Sequence, residues 1–364
     1  MLPQLILCTK RLNIFSIFLI MESDVIDLRS DTITRPTDEM REAMKEAKVG
    51  DDVLGEDPTV KELEDLAADL LGKEAGLFVT SGTQGNITSL LTHTEPGDEI
   101  IFGRDCHIYR YEVGGYASLA GLSSRTLDDS EGYIDQSKIE EAVREENIHH
   151  PETSLLCIEN THNVAGGVPV NSQYTNKVCR IAHKNNLKVH LDGARIFNAT
   201  AALNEDIADL VDSVDSVQFC LSKGLSAPVG SLLVGREDFI NRARKNRKML
   251  GGGMRQSGVI AAPGIISLEK MVDRLEKDHD NLKRLTKGLE EMGVDINTEK
   301  YKTNIAMLDT SQFEMSAEQL RIRLEEKNVR TLALRKNLMR FVTHREVSRE
   351  DIEKVLNIFE KEIL

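Results

Sequence analysis

Short, continuous apolar runs alternate along this chain with stretches in which apolar residues recur every three or four positions. The short runs predict buried strands at residues 75–80, 99–102, 154–159, 188–191, 216–220 and 231–234. The periodic stretches predict helices at residues 38–47, 58–71, 84–91, 139–146, 172–185 and 206–211. Because strands made of continuous apolar runs are buried on both faces, this order predicts an α/β fold with a mostly parallel sheet between helices.

The pattern changes after residue 268. A long charged helix is predicted at residues 269–292, with further helices at 317–327 and 348–360 and strands at 304–308 and 338–343. This mixture indicates a smaller α+β unit. We therefore predict an N-terminal extension outside the fold (residues 1–23), a large domain that includes the N-terminal segment (24–268), and a small C-terminal domain (269–364).

The first 20 residues differ in composition from the rest. They include Lys10 and Arg11 but no acidic residue, and their apolar runs are shorter than the roughly 20 residues that cross a bilayer. Three interpretations stay open: a dispensable extension with Met21 as an alternative start, an organellar presequence, or a secretory signal, although no small-residue cleavage site follows Ile20. We expect a cytoplasmic protein, or a mitochondrial one if residues 1–20 are a presequence.

Charge and cysteine content narrow the functional classes. The 364 residues carry a net charge of -14, which argues against nucleic acid or an anionic membrane surface as a partner. The five cysteines are an odd number and show no spacing typical of a metal site. This content favours free thiols in a reducing compartment, with no disulfide framework and no bound metal.

Candidate chemistry follows the predicted strands. Lys223 comes just after strand 216–220, Asp192 after 188–191, His107 after 99–102, and Gly82 with Thr83 after 75–80. Because the carboxyl ends of parallel strands share one edge of a sheet, we expect these residues to lie together there. A lysine amine can bind pyridoxal 5'-phosphate (PLP) as a Schiff base, and a carboxylate can keep its pyridine nitrogen protonated. A flat histidine can pack on the ring, and a turn before a helix can bind the phosphate.

Each of these residues also has an ordinary structural explanation. Lys223 alone fits a solvated loop lysine, Asp192 a turn acid and His107 a loop histidine. Arg195, three residues after Asp192, could simply pair with it. Their joint occurrence at consistent strand ends is what favours a PLP site.

Several longer motifs resemble the low-specificity L-threonine aldolases, which are PLP enzymes of fold type I, the aspartate aminotransferase fold. The motifs are DLRSDT (27–32), VGDDV (49–53), GEDP (55–58), IENTH (158–162), DGARIFN (192–198), CLSKG (220–224), APVGS (227–231), GGGMRQ (251–256) and FVTH (341–344). The resemblance extends over residues 27–359. It implies a large domain with a sheet of the seven-stranded type, a smaller C-terminal domain, and retro-aldol cleavage of L-threonine or L-allo-threonine to glycine and acetaldehyde.

The same resemblance implies a cofactor site for PLP. Its members would be Gly82, Thr83, His107, Asp192, Arg195, Lys223, Lys248 and Arg255. Lys223 would carry the cofactor, Asp192 would meet the pyridine nitrogen and His107 would stack on the ring. Lys248 and Arg255 would reach the phosphate of a neighbouring subunit, in a homodimer or homotetramer with shared active sites.

For the amino-acid substrate, the resemblance implies a carboxylate clamp made of Ser30, Arg195 and Arg340. The catalytic residues would be Lys223, His107 and a second histidine, His149. The base that accepts the hydroxyl proton would be His107, or a water molecule held by His107 and His149, because a histidine titrates near neutral pH.

One departure and several alternatives stay open. The family usually has tyrosine where this chain has Leu54, which leaves the substrate preference undecided. Another PLP enzyme of the same fold, such as a β-eliminating lyase, a serine hydroxymethyltransferase-like aldolase or a racemase, would need almost the same site. A catalytically inactive relative that acts as a binding protein is the alternative from another class.

Overall fold

The computed structural model describes residues 25–364. The interpretations given above for residues 1–20 and for Met21 therefore concern positions outside the described residues. Within residues 25–364, no helix is both long and apolar enough to cross a membrane.

Seven strands form the large sheet, in the order β2-β8-β7-β6-β5-β3-β4. They are β2 (Ala75–Val79), β3 (Glu99–Gly103), β4 (Ser123–Leu127), β5 (Thr153–Glu159), β6 (Lys188–Asp192), β7 (Ser216–Cys220) and β8 (Ser231–Gly235). Strand β8 runs antiparallel to both of its neighbours, β2 and β7. The remaining pairs are parallel, so the predicted α/β fold with a mostly parallel sheet is confirmed.

The helices have the boundaries α1 (Asp38–Glu46), α2 (Pro58–Leu70), α3 (Gly82–His93), α4 (His107–Arg110), α5 (Gly115–Ser118), α6 (Gln136–Ala142), α7 (Ser172–Lys184), α8 (Ile196–Leu203), α9 (Ile207–Val211), α10 (Glu237–Met249), α11 (Gly258–Ile266), α12 (Leu275–Glu291), α13 (Ala317–Glu325) and α14 (Arg349–Ile358). Side-chain hydrogen bonds to backbone N–H groups mark the starts of several of these helices. The Thr37 hydroxyl accepts the N–H of Met40 at 3.1 Å at the start of α1. The Ser81 hydroxyl does the same for Gln84 at the start of α3.

Both faces of the large sheet are buried. Along β5, Leu156 and Ile158 belong to one apolar cluster, whereas Leu155 and Cys157 belong to another on the opposite face. Because side chains alternate between the faces of a strand, an uninterrupted apolar run is what a strand covered by helices on both sides needs. Helices on both faces therefore hold the carboxyl ends of these strands, where the candidate residues were predicted, in a fixed position.

A second, smaller sheet is antiparallel, with β9 (Ile305–Asp309), β11 (Leu332–Arg335) and β12 (Leu338–Val342) in the order β11-β12-β9. A two-stranded parallel pair joins β1 (Ile26–Asp27) to β10 (Val329–Arg330). Ile26 and Leu28 belong to the apolar core of this C-terminal unit. The domain boundaries stay predictions, and this packing ties residues 26–28 to the smaller unit.

The single helix predicted at residues 269–292 is wrong in its boundaries. The chain forms α11, then a π-helical turn at Ser267–Met271, and only afterwards α12. The Ser267 hydroxyl bonds the carbonyl of Pro263 at 2.9 Å and that of Leu225 at 3.0 Å. A side chain that bonds into a helix in this way bends it, and apolar spacing alone carries no signal for that.

Candidate active site

Lys223 lies three residues beyond the carboxyl end of β7 and is only half-buried. Its carbonyl accepts hydrogen bonds from the Thr34 hydroxyl at 2.7 Å and from the Ser226 N–H at 2.9 Å. Within residues 25–364, its Nζ has no hydrogen-bond or ion-pair partner. The backbone is therefore anchored while the amine is left available for chemistry.

Asp192 is the last residue of β6 and is buried. Its Oδ2 accepts a hydrogen bond from Asn86 Nδ2 at 2.8 Å, and its Oδ1 accepts one from the N–H of Ala194 at 3.2 Å. Asn86 comes from α3, which packs against the sheet. A buried carboxylate held by donors on two sides is suited to face a protonated ring nitrogen.

His107 begins the short helix α4, just after β3. Its Nδ1 lies 2.9 Å from Glu112 Oε1, and its backbone N–H donates to Glu159 Oε2 at 2.8 Å. Because the carboxylate can only accept, Nδ1 carries the proton, and Nε2 is left to accept one. Burial alone would lower the pKa of His107, but the hydrogen bond to Glu112 and the charges of Asp192, Glu112 and Glu159 outweigh it, so the pKa is raised.

His107, Glu112 and Asp192 form one cluster, with their polar atoms all within 4.8 Å of one another. The sequence gives no sign of this cluster because Asp192 is far along the chain from His107 and Glu112. Hydrogen bonds account for the cluster: Asn86 donates to both carboxylates, at 2.7 Å to Glu112 and 2.8 Å to Asp192. The predicted neighbours Asp192 and His107 therefore do lie together.

The first turn of α3 faces outward at the same edge of the sheet. Ser81 uses its hydroxyl and carbonyl to bond Gln84 and Gly85, whereas the N–H groups of Gly82 and Thr83 precede any partner within the helix. A Cβ added to Gly82 would lie 3.0 Å from Cys220 Sγ at the end of β7. The absence of a side chain thus lets this helix start sit directly against the strand that leads to Lys223, as a site for a phosphate would require.

Arg195 is buried, and its guanidinium is already engaged. Its Nε and Nη2 each donate to a carboxylate oxygen of Asp31 at 2.7 Å. Burial favours the neutral form of Asp31, but the charge and hydrogen bonds of Arg195 outweigh it and hold the pKa of Asp31 well below its ordinary value. Nη1 and the second hydrogen of Nη2 are left for a ligand.

Arg340 presents the opposite case. Its Nη1 donates to Asn163 Oδ1 at 2.8 Å and its Nη2 to the carbonyl of Arg29 at 3.0 Å, both neutral acceptors. Its buried Nε has no partner, and none of its contacts in the described part of the chain is an ion pair. Burial and the charge of Arg195 lower the pKa of Arg340 to about 10. This is a cation without a counter-ion, which a ligand carboxylate would supply.

In the sequence, Ser30 lies between the two residues that contact Arg340 and Arg195. Its neighbour Arg29 supplies the carbonyl that accepts from Arg340, and its neighbour Asp31 pairs with Arg195. Its hydroxyl accepts from the Thr32 N–H at 3.2 Å. The structure therefore brings all three predicted carboxylate ligands to one place.

His149 is not brought to this place within one chain. It is exposed, and its backbone N–H donates to Asn147 Oδ1 at 3.0 Å. It precedes the amino end of β5, whereas Glu159, beside His107, ends that strand. Seven strand residues separate these edges, roughly 20 Å. A catalytic role for His149 therefore needs a neighbouring subunit and stays a prediction.

Lys248 and Arg255 flank the glycine turn after α10, and both are exposed. Arg255 forms an ion pair with Asp51 at 2.9 Å. A Cβ added to Gly252 would lie 2.3 Å from the side-chain nitrogen of Gln84, so this turn touches the first turn of α3. Both cations lie on the side of the molecule where Gly82 and Thr83 are, and their contact with a neighbouring subunit's phosphate stays a prediction.

Three residues of the site were not found from the sequence: Asn86, Glu112 and Asp31. Asp31 lies inside the DLRSDT motif, beside a predicted ligand, and a buried arginine needs such an acid. Asn86 was detectable only indirectly, since α3 is rich in polar residues yet largely buried. A buried polar helix must pack against polar partners.

A family model described as "Beta-eliminating lyase" matches residues 27–312 of this chain. Low-specificity L-threonine aldolase 1 from Arabidopsis thaliana is 44% identical over 345 residues, which cover 93% of this chain and 96% of the relative. The low specificity L-threonine aldolase of Escherichia coli K12 is 44% identical over 332 residues, or 91% and 97% of the two chains.

Solved structures with a similar fold include a threonine aldolase. A threonine aldolase structure from Leishmania major superposes with a TM-score of 0.80, covering 93% of this chain and all of the other, at 18% identity. That identity supports the likeness of the fold alone. Together with the identity to curated relatives over almost the whole chain, these matches show that the protein belongs to the beta-eliminating lyase family and is related within it to the low-specificity L-threonine aldolases.

Proposed function

We propose that this protein is a PLP-dependent carbon–carbon lyase that cleaves L-threonine and L-allo-threonine to glycine and acetaldehyde. The observation that carries the proposal is the buried cation of Arg340, which has no ion-pair partner within residues 25–364, at the edge where the amine of Lys223 emerges. An amino acid offers the matching groups, a carboxylate for the arginine and an amine for the lysine site. The names of the 44% identical relatives support the same substrate class.

The residues present fit PLP. Among the residues that the structure describes, the Nζ of Lys223 has no hydrogen-bond partner. The carboxylate of Asp192 is buried and ready to meet a cationic nitrogen, and the first-turn N–H groups at Gly82 and Thr83 face outward. Lys223 would hold the cofactor, Asp192 would keep its ring nitrogen protonated and His107 would lie on its ring. When bound, PLP supplies an electron sink for the pair released from the Cα–Cβ bond.

The protein's own part begins with the substrate carboxylate. Arg340 would bind it through its guanidinium, with Arg195 Nη1 and the Ser30 hydroxyl beside it. A carboxylate held at fixed points sets the rotation about Cα, and so determines which bond at Cα is aligned to break. Because Arg195 is neutralised by Asp31, Arg340 supplies most of the attraction.

The second step is removal of the β-hydroxyl proton. His107 Nε2 is the acceptor, because Nδ1 is held as a donor by Glu112. As the proton goes to Nε2, the Cβ–O group becomes the carbonyl of acetaldehyde and the Cα–Cβ bond breaks. His149, on the far edge of its own chain, does not take part unless it comes from a partner in a homodimer or homotetramer.

The test is a substrate panel on protein reconstituted with PLP. We expect about one PLP per chain, acetaldehyde from both threonine diastereomers, and, after borohydride reduction, PLP on the peptide that includes Lys223. Ammonia and a keto acid in place of acetaldehyde would identify an eliminating lyase, and inversion at Cα a racemase. PLP binding without turnover would identify an inactive relative, and each of these results would overturn the proposal.

Glu112→Gln is expected to shift the acidic limb of the kcat/KM profile to lower pH by about one unit. The glutamine can still accept from Nδ1, but the negative charge that raises the pKa of His107 is gone. The imidazole then loses its proton at lower pH, so the base is present over a wider range. An unchanged limb, measured with threonine between pH 5 and 9, would show that His107 is not the titrating base.

A further inference from the structure

Asn86 bonds two negatively charged residues with a single amide group. Its Nδ2 donates to Glu112 Oε1 at 2.7 Å and to Asp192 Oδ2 at 2.8 Å, and all three residues are buried. An amide nitrogen has two hydrogens, so both are used, one on each carboxylate. These two carboxylates have different tasks in the proposed function: one faces the cofactor ring and the other orients His107.

A contact with His190 determines the orientation of the Asn86 amide. Asn86 Oδ1 lies 3.0 Å from His190 Nε2, and His190 Nδ1 lies 2.9 Å from the hydroxyls of both Ser89 and Ser216. Burial lowers the pKa of His190 to about 4, so its ring is neutral and has one N–H. That N–H must be on Nε2, because an amide oxygen only accepts. A flipped amide would place two donors against each other.

The two carboxylates need these donors. Like charges close together in a buried site disfavour ionisation, and burial together with the charge of Asp192 raises the pKa of Glu112. The hydrogen bonds from His107 and Asn86 act in the opposite direction on Glu112. Around His107 the charged groups are Glu112 on its own segment, Glu159 at the end of β5 and Asp192 at the end of β6, with the Tyr111 ring beside it.

We propose that Asn86 is a positioning residue for the reaction: its amide keeps Asp192 and Glu112 ionised side by side, and so couples the cofactor's ring partner to the residue that orients the base. This inference rests on the proposed function. It predicts that without Asn86 at least one of the two carboxyl groups takes up a proton at a higher pH than in the parent protein. Cofactor binding then fails at a higher pH than in the parent protein as the pH falls.

The test variant is Asn86→Ala, and the first readout is PLP binding by the apoprotein, measured by equilibrium dialysis from pH 5 to 9. We expect the pH at which half of the PLP is retained to move upward by about one unit, since hydrogen bonds to a carboxylate favour its ionised form.

Asn198→Ala is the matched control. Asn198 is also a buried asparagine on a helix with a histidine partner, its Nδ2 lying 3.1 Å from His279 Nε2. Among residues 25–364, its amide bonds no carboxylate. Both variants should lose thermal stability, but only Asn86→Ala should move the pH midpoint. If Asn86→Ala does not fold, Asn86→Asp keeps the shape and replaces both donors with a third carboxyl group, and it should move the midpoint the same way.

Equal midpoints for the parent, Asn86→Ala and Asn198→Ala, with aldolase activity intact in the parent, would overturn the role of Asn86 and leave the proposed function standing. A parent protein that neither binds PLP nor releases acetaldehyde would overturn both. An upward midpoint in Asn86→Ala alone, with parental midpoints in the control, supports the positioning role.

Discussion

Replacing Lys223 with alanine is expected to lower the rate of acetaldehyde release from threonine by about 10³-fold or more. Its Nζ is free of hydrogen bonds within residues 25–364, and it is the amine at the strand ends that can bind a carbonyl cofactor. Lys223→Arg should be equally inactive, although it keeps a positive charge near Asp31, because a guanidinium does not form the needed bond. The measurement is a single-turnover and steady-state assay with excess PLP.

Lys184→Ala is the control for this experiment. Lys184 is an exposed lysine on α7 that pairs with Glu140, and its loss should leave the rate within twofold of the parent, since surface ion pairs contribute little. Both Lys223 variants should fold, because the half-buried amine has no hydrogen-bond partner to lose in the described part of the chain. Parental activity in either Lys223 variant would contradict the mechanism as a whole.

Arg340→Ala is expected to raise KM for threonine about 100-fold, with a smaller loss of stability than in Arg195→Ala. The guanidinium would lose its bonds to the substrate carboxylate, and a charged hydrogen-bonded contact of this kind contributes about 1.5–3 kcal/mol. The bonds to Asn163 and to the Arg29 carbonyl would be lost, but removing a buried cation that is repelled by Arg195 offsets part of that cost. Arg340→Lys keeps the charge without the fork and should fall between the parent and Arg340→Ala.

Arg195→Ala gives the contrasting result. Its two bonds to Asp31 would be lost, leaving a buried carboxylate unpaired, so the free energy of unfolding should fall by about 3–5 kcal/mol. Urea unfolding of the two variants separates these roles. A KM in Arg340→Ala within twofold of the parent, or an Arg195→Ala protein as stable as the parent, would show that the assignment of binding and structural roles is wrong.

The elements built from local patterns were predictable. The strand at residues 216–220 was placed at its observed boundaries, and the starts of α1 and α2 followed from Thr37 and from Asp57 before Pro58. Strand β4 was missed, because Ser123–Leu127 is polar and partly exposed and so has no apolar run. The break before α12 was missed because helical spacing continues through it.

The site was predictable where it depends on position along strands. Lys223, Asp192 and His107 each follow a strand of one parallel sheet, so their common edge followed from order alone. The partners of the two arginines did not follow from the order of strands. Arg195 and Arg340 look alike in sequence, yet Asp31 neutralises Arg195, whereas Arg340 has no counter-ion among residues 25–364. That difference depends on contacts across 164 and 177 residues of chain.

The sequence by itself determined the fold class and the family, and it predicted Lys223 as the reactive lysine, because apolar periodicity, strand-end positions and contiguous motifs are local properties. Only the tertiary structure decided which polar atoms are already used. Asn86 between two carboxylates, Glu112 behind His107 and Asp31 on Arg195 are long-range hydrogen bonds. Side-chain partners in a buried site are chosen by three-dimensional proximity and desolvation, to which spacing along a single chain gives no access.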